Sequence, residues 1–404
     1  MGHAELPLRR NRDFVALWTG QAASALGTSI SSLAYPLVLL SMTGSSALAG
    51  AAAGVMAATT FLLRIPAGVV ADRVDRKRLM LLCDGGRLVA VGSLGLAVLA
   101  GELHLVHVFV VAVVEGALGV LFVPAEVVAV RAVVAPGEVR DAVARNQARE
   151  QLAVLVGPSL GGALFGLGRG VPFLVDAASY ACSFVAVAAV RTRVPQGSLP
   201  PSGSRLRQEM GEGLRWLWRQ PLLRYIVVWL SGAGMLFTSL GIVTLVIAVH
   251  LGATPAQIGL MFTISGAGGL AGALAAPALL RRISPAGVVI GYAWIVTAAT
   301  FALLLVDSVW LLAVIGAAAF FPVPTINALV MSEVAHRAPG SILGRANSAT
   351  IQLTTLFHPI APVVAGGLLQ AVGTSATLVV YGVGLALLAI LVTSSPTVRA
   401  SRHR

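Results

Sequence analysis

The stretch GVVADRVDRKR, residues 68–78, is decisive for the fold because it places six ionised residues between two long apolar runs. Elsewhere charge is scarce: of 404 residues, 57% are hydrophobic and only 11% are charged, and the mean hydropathy is +0.88. This composition lies far outside the range of soluble globular domains. The sequence therefore predicts a membrane protein in which residues 68–78 form a turn between two spanning helices.

Apolar runs long enough to cross a bilayer recur along the whole chain. A helix needs roughly 20 mostly apolar residues to cross the hydrocarbon core. Twelve runs meet this requirement, near residues 14–41, 47–70, 79–100, 105–130, 149–167, 172–190, 222–249, 256–280, 286–306, 309–333, 347–370 and 374–394. We predict an all-α polytopic membrane protein with 12 transmembrane helices.

A polar segment in the middle of the chain divides the spans into two sets of six. We predict an N-terminal six-helix bundle over 1–190, a cytoplasmic linker over 191–221 and a C-terminal six-helix bundle over 222–404. A weak repeat, offset by about 200 residues, indicates that the two halves are related.

The linker itself has two parts of different composition. Its first part, PQGSLPPSGS at 195–204, predicts a flexible segment. The second part, 205–221, has apolar residues at helical spacing, namely Leu206, Met210, Leu214 and Leu217. This spacing predicts an amphipathic helix on the inner membrane surface. Two glycines within it weaken a helix, so a solvated connector is the alternative.

The Lys and Arg residues lie on one side of the predicted membrane. The net charge of +12 comes from cations in alternate connections, at 1–13, 71–78, 131–149, 191–221, 281–282, 334–346 and 395–404. In the connections between these, Arg169 stands alone. The positive-inside rule then places both termini in the cytoplasm. We expect no nucleic-acid partner, because the membrane topology already explains the excess of Lys and Arg over Asp and Glu. The ratio of 27 Arg to one Lys indicates a GC-rich bacterial genome, and hence a bacterial inner membrane.

Sequence patterns for nucleotide and metal chemistry are missing from the chain. The sole lysine, Lys77, follows Arg76, so no Walker A loop is present. There is no His-Glu-x-x-His pattern and no cysteine-pair metal site, and Cys83 and Cys182 lie inside predicted spans, where packing explains them better than a disulfide. We expect no enzyme, no metal and no cofactor, and a monomer in the lipid bilayer.

The charged turn resembles a known family pattern. Its key residues are Gly68, Asp72, Arg73, Arg76, Lys77 and Arg78. They match the loop of the major facilitator superfamily between spans two and three, Gly-x-x-x-Asp-Arg-x-x-Arg-Lys/Arg-Arg. This resemblance implies two pseudo-symmetric six-helix halves. Gly68 would allow two helices to approach closely, and Asp72 could cap a helix.

A latch on the cytoplasmic side is the expected role of this arginine cluster. Ion pairs between helix ends on the cytoplasmic side can hold the protein in one conformation and break in another. The resemblance implies an acidic partner at the end of span four, which is Glu126, and Glu333 occupies the corresponding place at the end of span ten. The alternative is an anchor that only sets the topology.

A second motif narrows the resemblance. The sequence GPSLGG at 157–162 is similar to the Gly-Pro-x-x-Gly-Gly motif in span five of drug:proton antiporters. Gly157 and Gly161 lie one turn apart, as do Gly162 and Gly166, which predicts two faces for close helix packing, and Pro158 permits a bend. In the family this motif accompanies export, whereas generic small-residue packing is the alternative.

Three further stretches resemble one branch of the superfamily. They are NRDFVALWTGQAASALG at 11–27, CDGGR at 83–87 and GEGLRWL at 211–217. The branch is a twelve-span group that includes macrolide efflux proteins and the enterobactin exporter. Many antiporters carry an Arg in span four, but the run VVAVVEGALG at 110–119 has none. Other buried groups would then have to carry a coupling proton.

Ionisable residues inside the predicted spans are the candidates for carrying the coupling proton. A charge within the bilayer is energetically costly, so such a residue by default marks a substrate pathway or a proton relay. Glu115 lies about ten residues into span four, roughly 15 Å deep at 1.5 Å per residue. It could bind and release a proton, or it could hydrogen-bond a neighbouring helix. Asp84 is the second candidate, and Arg64, Asp84 and Arg87 could form a buried ion pair or triad. Asp176 is interpreted as an interfacial or packing residue.

Polar residues on span one are candidates for a substrate cavity. Gln21, Ser24, Thr28 and Ser31 recur every three or four residues and so share one helix face. Packing between helices would explain the same face. His358 in span eleven could bind substrate, or it could be a satisfied polar residue. Few other charges are available, which favours an apolar or amphiphilic cargo.

These observations predict a secondary transporter that exports a small lipophilic or amphiphilic compound, such as a drug, antibiotic or siderophore-like molecule, by alternating access and in exchange for protons. Its partners would be this small molecule, the proton and the lipid bilayer. The alternatives are an uptake permease, an uncoupled facilitator, and a scaffold or sensor that transports nothing.

Overall fold

The computed structural model describes residues 8–192, 194, 203–340 and 342–399. Over these residues the protein is built from α-helices, with short 3-10 turns at Pro136–Glu138 and Leu303–Leu305. The helices are α1 (Arg12–Thr43), α2 (Ser46–Arg73), α3 (Arg76–Ala100), α4 (Leu105–Val133), α5 (Val139–Leu167), α6 (Val171–Ala189), α7 (Gly203–Trp218), α8 (Pro221–His250), α9 (Pro255–Arg282), α10 (Pro285–Ala302), α11 (Val309–Phe320), α12 (Val323–Arg337), α13 (Leu343–Thr354), α14 (Ala361–Ser394) and α15 (Pro396–Arg399). The predicted all-α fold class is confirmed.

Eleven helical stretches of the described chain are long and apolar enough to cross a membrane, one fewer than the twelve predicted spans. The difference arises at α14, where Gly373 interrupts the helix with φ 76° and ψ 176°. A positive φ is readily adopted only by glycine. The helical turns after Gly373 correspond to predicted span twelve. Predicted span eleven is itself divided, into α13, a turn at 355–360 and the first part of α14.

Side-chain caps explain where the first helices begin. The side chain of Asn11 accepts a hydrogen bond of 3.1 Å from the backbone N–H of Phe14 at the start of α1. Asp75 does the same for the N–H of Arg78, at 2.8 Å, at the start of α3. Such caps satisfy N–H groups that have no partner within the helix. Residues 68–78 therefore form the predicted turn between two spanning helices, although the cap comes from Asp75 and not from Asp72.

The chain divides into two compact units. Unit 1 comprises the described residues of Met1–Gly44, Ala51–Pro200 and Thr254–Thr263, and unit 2 those of Ser45–Gly50, Pro201–Ala253 and Ile264–Arg404. In unit 1, α1 packs against α5 and α6, and α3 packs against α4 and α6. In unit 2, α14 packs against both α8 and α10, and α7 packs against α13.

The predicted linker helix corresponds to α7. Leu217 is fully buried, whereas Leu214 is exposed. Residues 195–202, and the side chains of Leu206 and Met210, lie outside the part of the chain that the structure describes. A carboxylate oxygen of Glu212 accepts a hydrogen bond of 2.5 Å from Arg345 on α13. This ion pair attaches α7 to unit 2.

Candidate functional site

Four helices of unit 1 bring buried polar side chains together around Glu115. This carboxyl group is 3% exposed. Its Oε2 accepts a hydrogen bond of 2.5 Å from the Tyr35 hydroxyl on α1, and its Oε1 accepts one of 3.3 Å from the Tyr180 hydroxyl on α6. Glu115 therefore joins α4 to two neighbouring helices.

Arg87 on α3 supplies the cation of this cluster. Its Nη2 donates to the Tyr180 hydroxyl at 2.6 Å and to Thr28 Oγ1 at 3.1 Å. The guanidinium carbon also lies 4.0 Å from the centroid of the Tyr180 ring, within the range of a cation–π contact. The Tyr180 hydroxyl thus connects the guanidinium group to Glu115.

Asp176 belongs to the same polar interior, as a packing residue between α6 and α1 and not as an interfacial one. Asp176 is completely buried. Ser31 on α1 donates to its Oδ2 at 2.5 Å, and Ser179 donates to its Oδ1 at 3.3 Å. Gly27 makes room for it, because a Cβ atom there would lie 2.7 Å from Asp176 Oδ1.

The sequence of α6 carries a signal for this cluster. Polar residues recur along one face of the helix at intervals of three, one and three residues, at Asp176, Ser179, Tyr180 and Ser183. This is the spacing of a single helix face. The face complements the polar face of α1.

Asp84 forms a second hydrogen-bonded group one turn from Arg87. It is completely buried, and its Oδ2 accepts a hydrogen bond of 2.6 Å from Ser183 Oγ. Ser183 in turn accepts one of 2.6 Å from Gln21 Nε2. The chain Gln21, Ser183 and Asp84 links α1, α6 and α3.

The predicted ion triad of Arg64, Asp84 and Arg87 is wrong. Arg64 is exposed and forms no ion pair with another described residue. Asp84 and Arg87 also form no direct ion pair, although they lie three residues apart. The reason is that Arg87 directs Nη2 towards Tyr180 and Thr28, whereas Asp84 is held by Ser183.

The polar face of span one packs against α6 in this structure, and its role in lining a substrate cavity stays a prediction. Gln21, Ser24 and Ser31 are buried and Thr28 is partly buried. Three of these side chains contact α6: Gln21 bonds Ser183, Thr28 bonds the Tyr180 hydroxyl at 2.8 Å, and Ser31 bonds Asp176. The alternative, packing between helices, describes this face.

His358 lies in the turn between α13 and α14 and is partly buried. A Cβ atom on Gly234 of α8 would lie 3.5 Å from its Nε2. The imidazole therefore packs closely against α8. Its role as a substrate ligand stays a prediction.

The charged turn contacts its own helices and the end of α6. Arg76 Nη2 pairs with Asp72 at 2.8 Å, one helical turn away. Lys77 Nζ donates to the carbonyl oxygens of Ala188 and Val190, at 2.9 and 2.7 Å, and so caps the end of α6. Arg73 and Arg78 are exposed. A Cβ atom on Gly68 would meet nothing within 4 Å, so the expected close helix contact is not made there.

The acidic residues predicted as latch partners pair with other cations. Glu126 accepts a hydrogen bond of 3.0 Å from Arg149 on α5, and both residues are buried. Glu333 pairs with Arg337 at 2.7 Å, one turn further along α12. The prediction that Glu126 and Glu333 pair with the arginine cluster of the turn is therefore wrong for the contacts in this structure.

The glycine motif of α5 lies where α5 packs against other helices. A Cβ atom on Gly161 would lie 2.6 Å from the Ile30 carbonyl oxygen on α1, and Gly157 faces Ser29 of the same helix. Gly162 faces α9 instead, and Gly166 has open space around it. Pro158 lies inside α5, which continues past it to Leu167.

Among the described residues, no group of three or more His, Cys, Asp and Glu side chains is arranged to hold a metal ion. The polar cluster of unit 1 instead combines carboxyl, guanidinium, phenol and alcohol groups. These groups can bind, hold and pass protons.

Comparison with known proteins identifies the family. The sequence profile described as the Major Facilitator Superfamily matches residues 17–359. This chain belongs to the major facilitator superfamily. The resemblance of the charged turn is thereby confirmed, as is the expectation of a transporter and not an enzyme. The chain is a multi-pass membrane protein with a small-molecule substrate.

Relatives with assigned functions cover nearly the whole chain. The multidrug efflux pump Tap of Mycolicibacterium fortuitum is 27% identical over 96% of this chain and 95% of the relative. The enterobactin exporter EntS of Citrobacter koseri is 26% identical over 95% of this chain and 92% of the relative. Both are named for export.

Solved structures support the fold. The nucleoside transporter NupG has a TM-score of 0.74 at 13% identity, with 95% of this chain and 98% of that chain covered. A bacterial homologue of the human lysosomal transporter Spinster has a TM-score of 0.72 at 16% identity, with 98% and 99% covered. At these identities the likeness concerns the fold alone.

Proposed function

We propose that this superfamily member exports small lipophilic or amphiphilic compounds, of drug or siderophore type, in exchange for protons and by alternating access. The export direction is supported by the two relatives, whose names denote a multidrug efflux pump and an enterobactin exporter. The GPSLGG motif of α5 points the same way. The distribution of basic residues supports cytoplasmic termini, and their Arg-rich composition supports a bacterial inner membrane.

The observation that carries the proton coupling is the charge balance around Glu115. Three buried carboxyl groups, Asp84, Glu115 and Asp176, accompany one buried guanidinium group, that of Arg87. Excess negative charge is unfavourable where water is excluded. Binding a proton removes one negative charge from the cluster, and releasing the proton restores that charge.

Glu115 is suited to be the group that exchanges the proton. When it is ionised, the hydroxyl groups of Tyr35 and Tyr180 donate to its two oxygens, and Arg87 lies beyond Tyr180. When it is protonated, its new O–H donates to one of the two tyrosine oxygens, so the same partners serve with one hydrogen bond reversed and with one fewer negative charge in the cluster. Both protonation states are therefore accommodated without new contacts.

The nature of the cargo follows from the same contacts. One oxygen or nitrogen of each of the buried groups Asp84, Arg87 and Asp176 is engaged with protein side chains, which leaves little of them to bind a charged solute. A cargo held mainly by apolar contact is consistent with this. A monomer is sufficient for the mechanism, because the cluster lies within one unit of one chain.

The test is transport by purified protein in proteoliposomes with an imposed proton gradient, using a panel of lipophilic dyes and macrolides. Wild-type protein should accumulate substrate in the direction opposite to the proton flux, and a protonophore should abolish the accumulation. Glu115→Gln should lose this gradient-driven transport and retain substrate exchange. Glu102→Gln, which removes an exposed carboxylate from the loop between α3 and α4, is the matched control and should behave as wild type.

Other outcomes would identify the competing functions. Transport that resists the protonophore and survives in Glu115→Gln would indicate an uncoupled facilitator. Accumulation in the direction of the proton flux would indicate an uptake permease. If no compound in the panel moves, the scaffold or sensor function gains support and export of lipophilic compounds is contradicted.

A further inference from the structure

Two buried polar atoms in the middle of unit 1 have no hydrogen-bond partner, namely Asp84 Oδ1 and Arg87 Nε. Both residues are more than nine-tenths buried, at 0% and 8% exposure. One atom is an acceptor and the other a donor, and the two residues lie three apart on one face of α3. Leaving such atoms unpaired in the interior is costly.

One other polar atom of each side chain is already engaged. Asp84 Oδ2 is bound by Ser183, and Arg87 Nη2 is bound to Tyr180 and Thr28. A small molecule that donates to a carboxylate oxygen and accepts from a guanidinium N–H would satisfy both atoms. Water has these properties.

We propose that a buried water molecule binds between Asp84 Oδ1 and Arg87 Nε and that it completes a proton path through unit 1. The water site follows from the unpaired atoms alone. The proton path rests in addition on the proposed antiport function.

The path would join two groups that are otherwise separate. On one side lies the chain of Gln21, Ser183 and Asp84, and on the other lies the group of Arg87, Tyr180 and Glu115. Asp84 is eight residues from the start of α3, whereas Glu115 is ten residues from the start of α4, which runs the opposite way. Asp84 therefore lies nearer the end of the bundle at which α1 begins, which is the cytoplasmic end in the proposed topology.

The transfer step is a simple exchange of one proton. The O–H bond of the protonated Glu115 carboxyl group breaks, and a new O–H bond forms at Asp84. The Tyr180 hydroxyl takes the proton from Glu115 and passes its own proton to the water, its neighbour on the Arg87 guanidinium group, and the water passes a proton to Asp84 Oδ1, while Arg87 keeps all of its protons. The remaining charged group that acts on Asp84 is Glu126 on α4, which is paired with Arg149, while α1 and α6 face Asp84 with the neutral Gln21 and Ser183.

The water site can be tested by X-ray hydroxyl-radical footprinting of the full chain in lipid nanodiscs. Radicals formed at an internal water oxidise buried neighbours that bulk solvent does not reach. Tyr180, which is 0% exposed, should be oxidised faster than Tyr292, which is 5% exposed in unit 2. Absence of Tyr180 oxidation in the wild-type protein would overturn the water site.

Substitutions at Asp84 separate the water from the proton path. Asp84→Asn keeps an acceptor oxygen, so Tyr180 oxidation should persist while substrate-driven proton flux is lost. Asp84→Leu removes the acceptor, so Tyr180 oxidation should fall to the level of Tyr292. Asp141→Asn, at an exposed position in the first turn of α5, is the control and should change neither.

The two proposals fail in different ways. Unchanged proton flux in Asp84→Asn would overturn the path and leave the water site standing. If the wild-type protein moves substrate without any proton flux, antiport fails, yet the oxidation of Tyr180 still decides whether the water is present. Should Asp84→Leu not fold, the wild-type protein and Asp84→Asn suffice for both decisions.

Discussion

The interiors of the two units differ in the kind of polar group that they bury. Among the described residues, every buried charged side chain lies in unit 1: Asp13, Arg76, Asp84, Arg87, Glu115, Glu126, Arg149 and Asp176. The buried polar side chains of unit 2 in the same part of the chain are neutral, namely serine, threonine and tyrosine hydroxyls and the Trp229 indole. The capacity to bind protons inside the protein is thus concentrated in one unit.

The hydrogen bonds of the two interiors also differ in reach. In unit 2, Thr297 and Thr300 donate to carbonyl oxygens one turn back in their own helix, at 2.7 and 2.8 Å. In unit 1, Tyr35, Ser31 and Ser183 donate to carboxylates on other helices. Loss of one polar group should therefore have local effects in unit 2 and should leave a charged partner unsatisfied in unit 1.

The largest effect is expected for Arg87→Met, which removes the guanidinium group that accompanies three buried carboxyl groups. Breaking a buried charge cluster by removing one partner costs about 3–5 kcal/mol. The midpoint of thermal unfolding in detergent should fall accordingly. Arg64→Met removes an exposed arginine and should change stability by at most about 0.5 kcal/mol. Equal midpoints for the two variants would contradict the role of Arg87 as the counter-charge.

Ser183→Ala and Thr297→Val compare one hydroxyl in each unit. Ser183 bonds both Asp84 and Gln21, and a lost hydrogen bond to a charged group costs about 1.5–3 kcal/mol. Thr297 bonds only its own helix, so Thr297→Val should cost about 0.5–1.5 kcal/mol. The measurement is denaturant or thermal unfolding of both variants under identical conditions. A larger loss for Thr297→Val would remove the contrast between the two interiors.

Gly161→Ala tests the packing of α5 against α1 in unit 1. The added Cβ would lie 2.6 Å from the Ile30 carbonyl oxygen. Overpacking costs about 1–3 kcal/mol, and the better helix propensity of alanine offsets about 1 kcal/mol, so a net loss of about 1 kcal/mol is expected. Gly166→Ala, where nothing lies within 4 Å, should be neutral or stabilising. If both variants have the same unfolding midpoint, the contact of α5 with α1 is not close enough to exclude a methyl group.

The smallest effect is expected in unit 2, for Glu212→Gln. The ion pair of Glu212 with Arg345 is partly exposed, with side chains 33% and 37% accessible. Such pairs contribute about 0.2–1 kcal/mol and weaken with salt. The unfolding midpoints of Glu212→Gln and wild type should converge as ionic strength rises. A difference that persists in high salt would show that Glu212 contributes to stability by something other than its charge.

Local features of the fold could be predicted from sequence. The spans and the charged turn at 68–78 were predicted correctly because the length of an apolar run and the position of charges are one-dimensional properties. The exception is the region around α13 and α14, where a turn at 355–360 divides the predicted span eleven. Two shorter helices and a turn have the same hydropathy as one long span, so composition does not distinguish them.

The candidate site was predicted only in part. The importance of Glu115 follows from its depth in an apolar run, which the sequence shows directly. Its partners Tyr35 and Tyr180 lie 80 and 65 residues away, and no spacing rule connects them. Asp176 lies near the end of α6 by its position in the chain, whereas its hydrogen bond from Ser31 on α1 depends on the polar face that it shares with Ser179 and Ser183.

What the sequence by itself determined is therefore the family, the membrane-spanning character and the positions where ionisable groups enter the bilayer, since each depends on residues near in the chain. Only the tertiary structure decided which of these groups meet. Asp84 and Arg87 have the spacing of an ion pair on α3, yet Tyr180 from α6 takes the guanidinium group and Ser183 takes the carboxylate. Hydrogen-bond partners within a helix bundle are chosen by the faces that pack together, and those faces are set by contacts between helices that are distant in sequence.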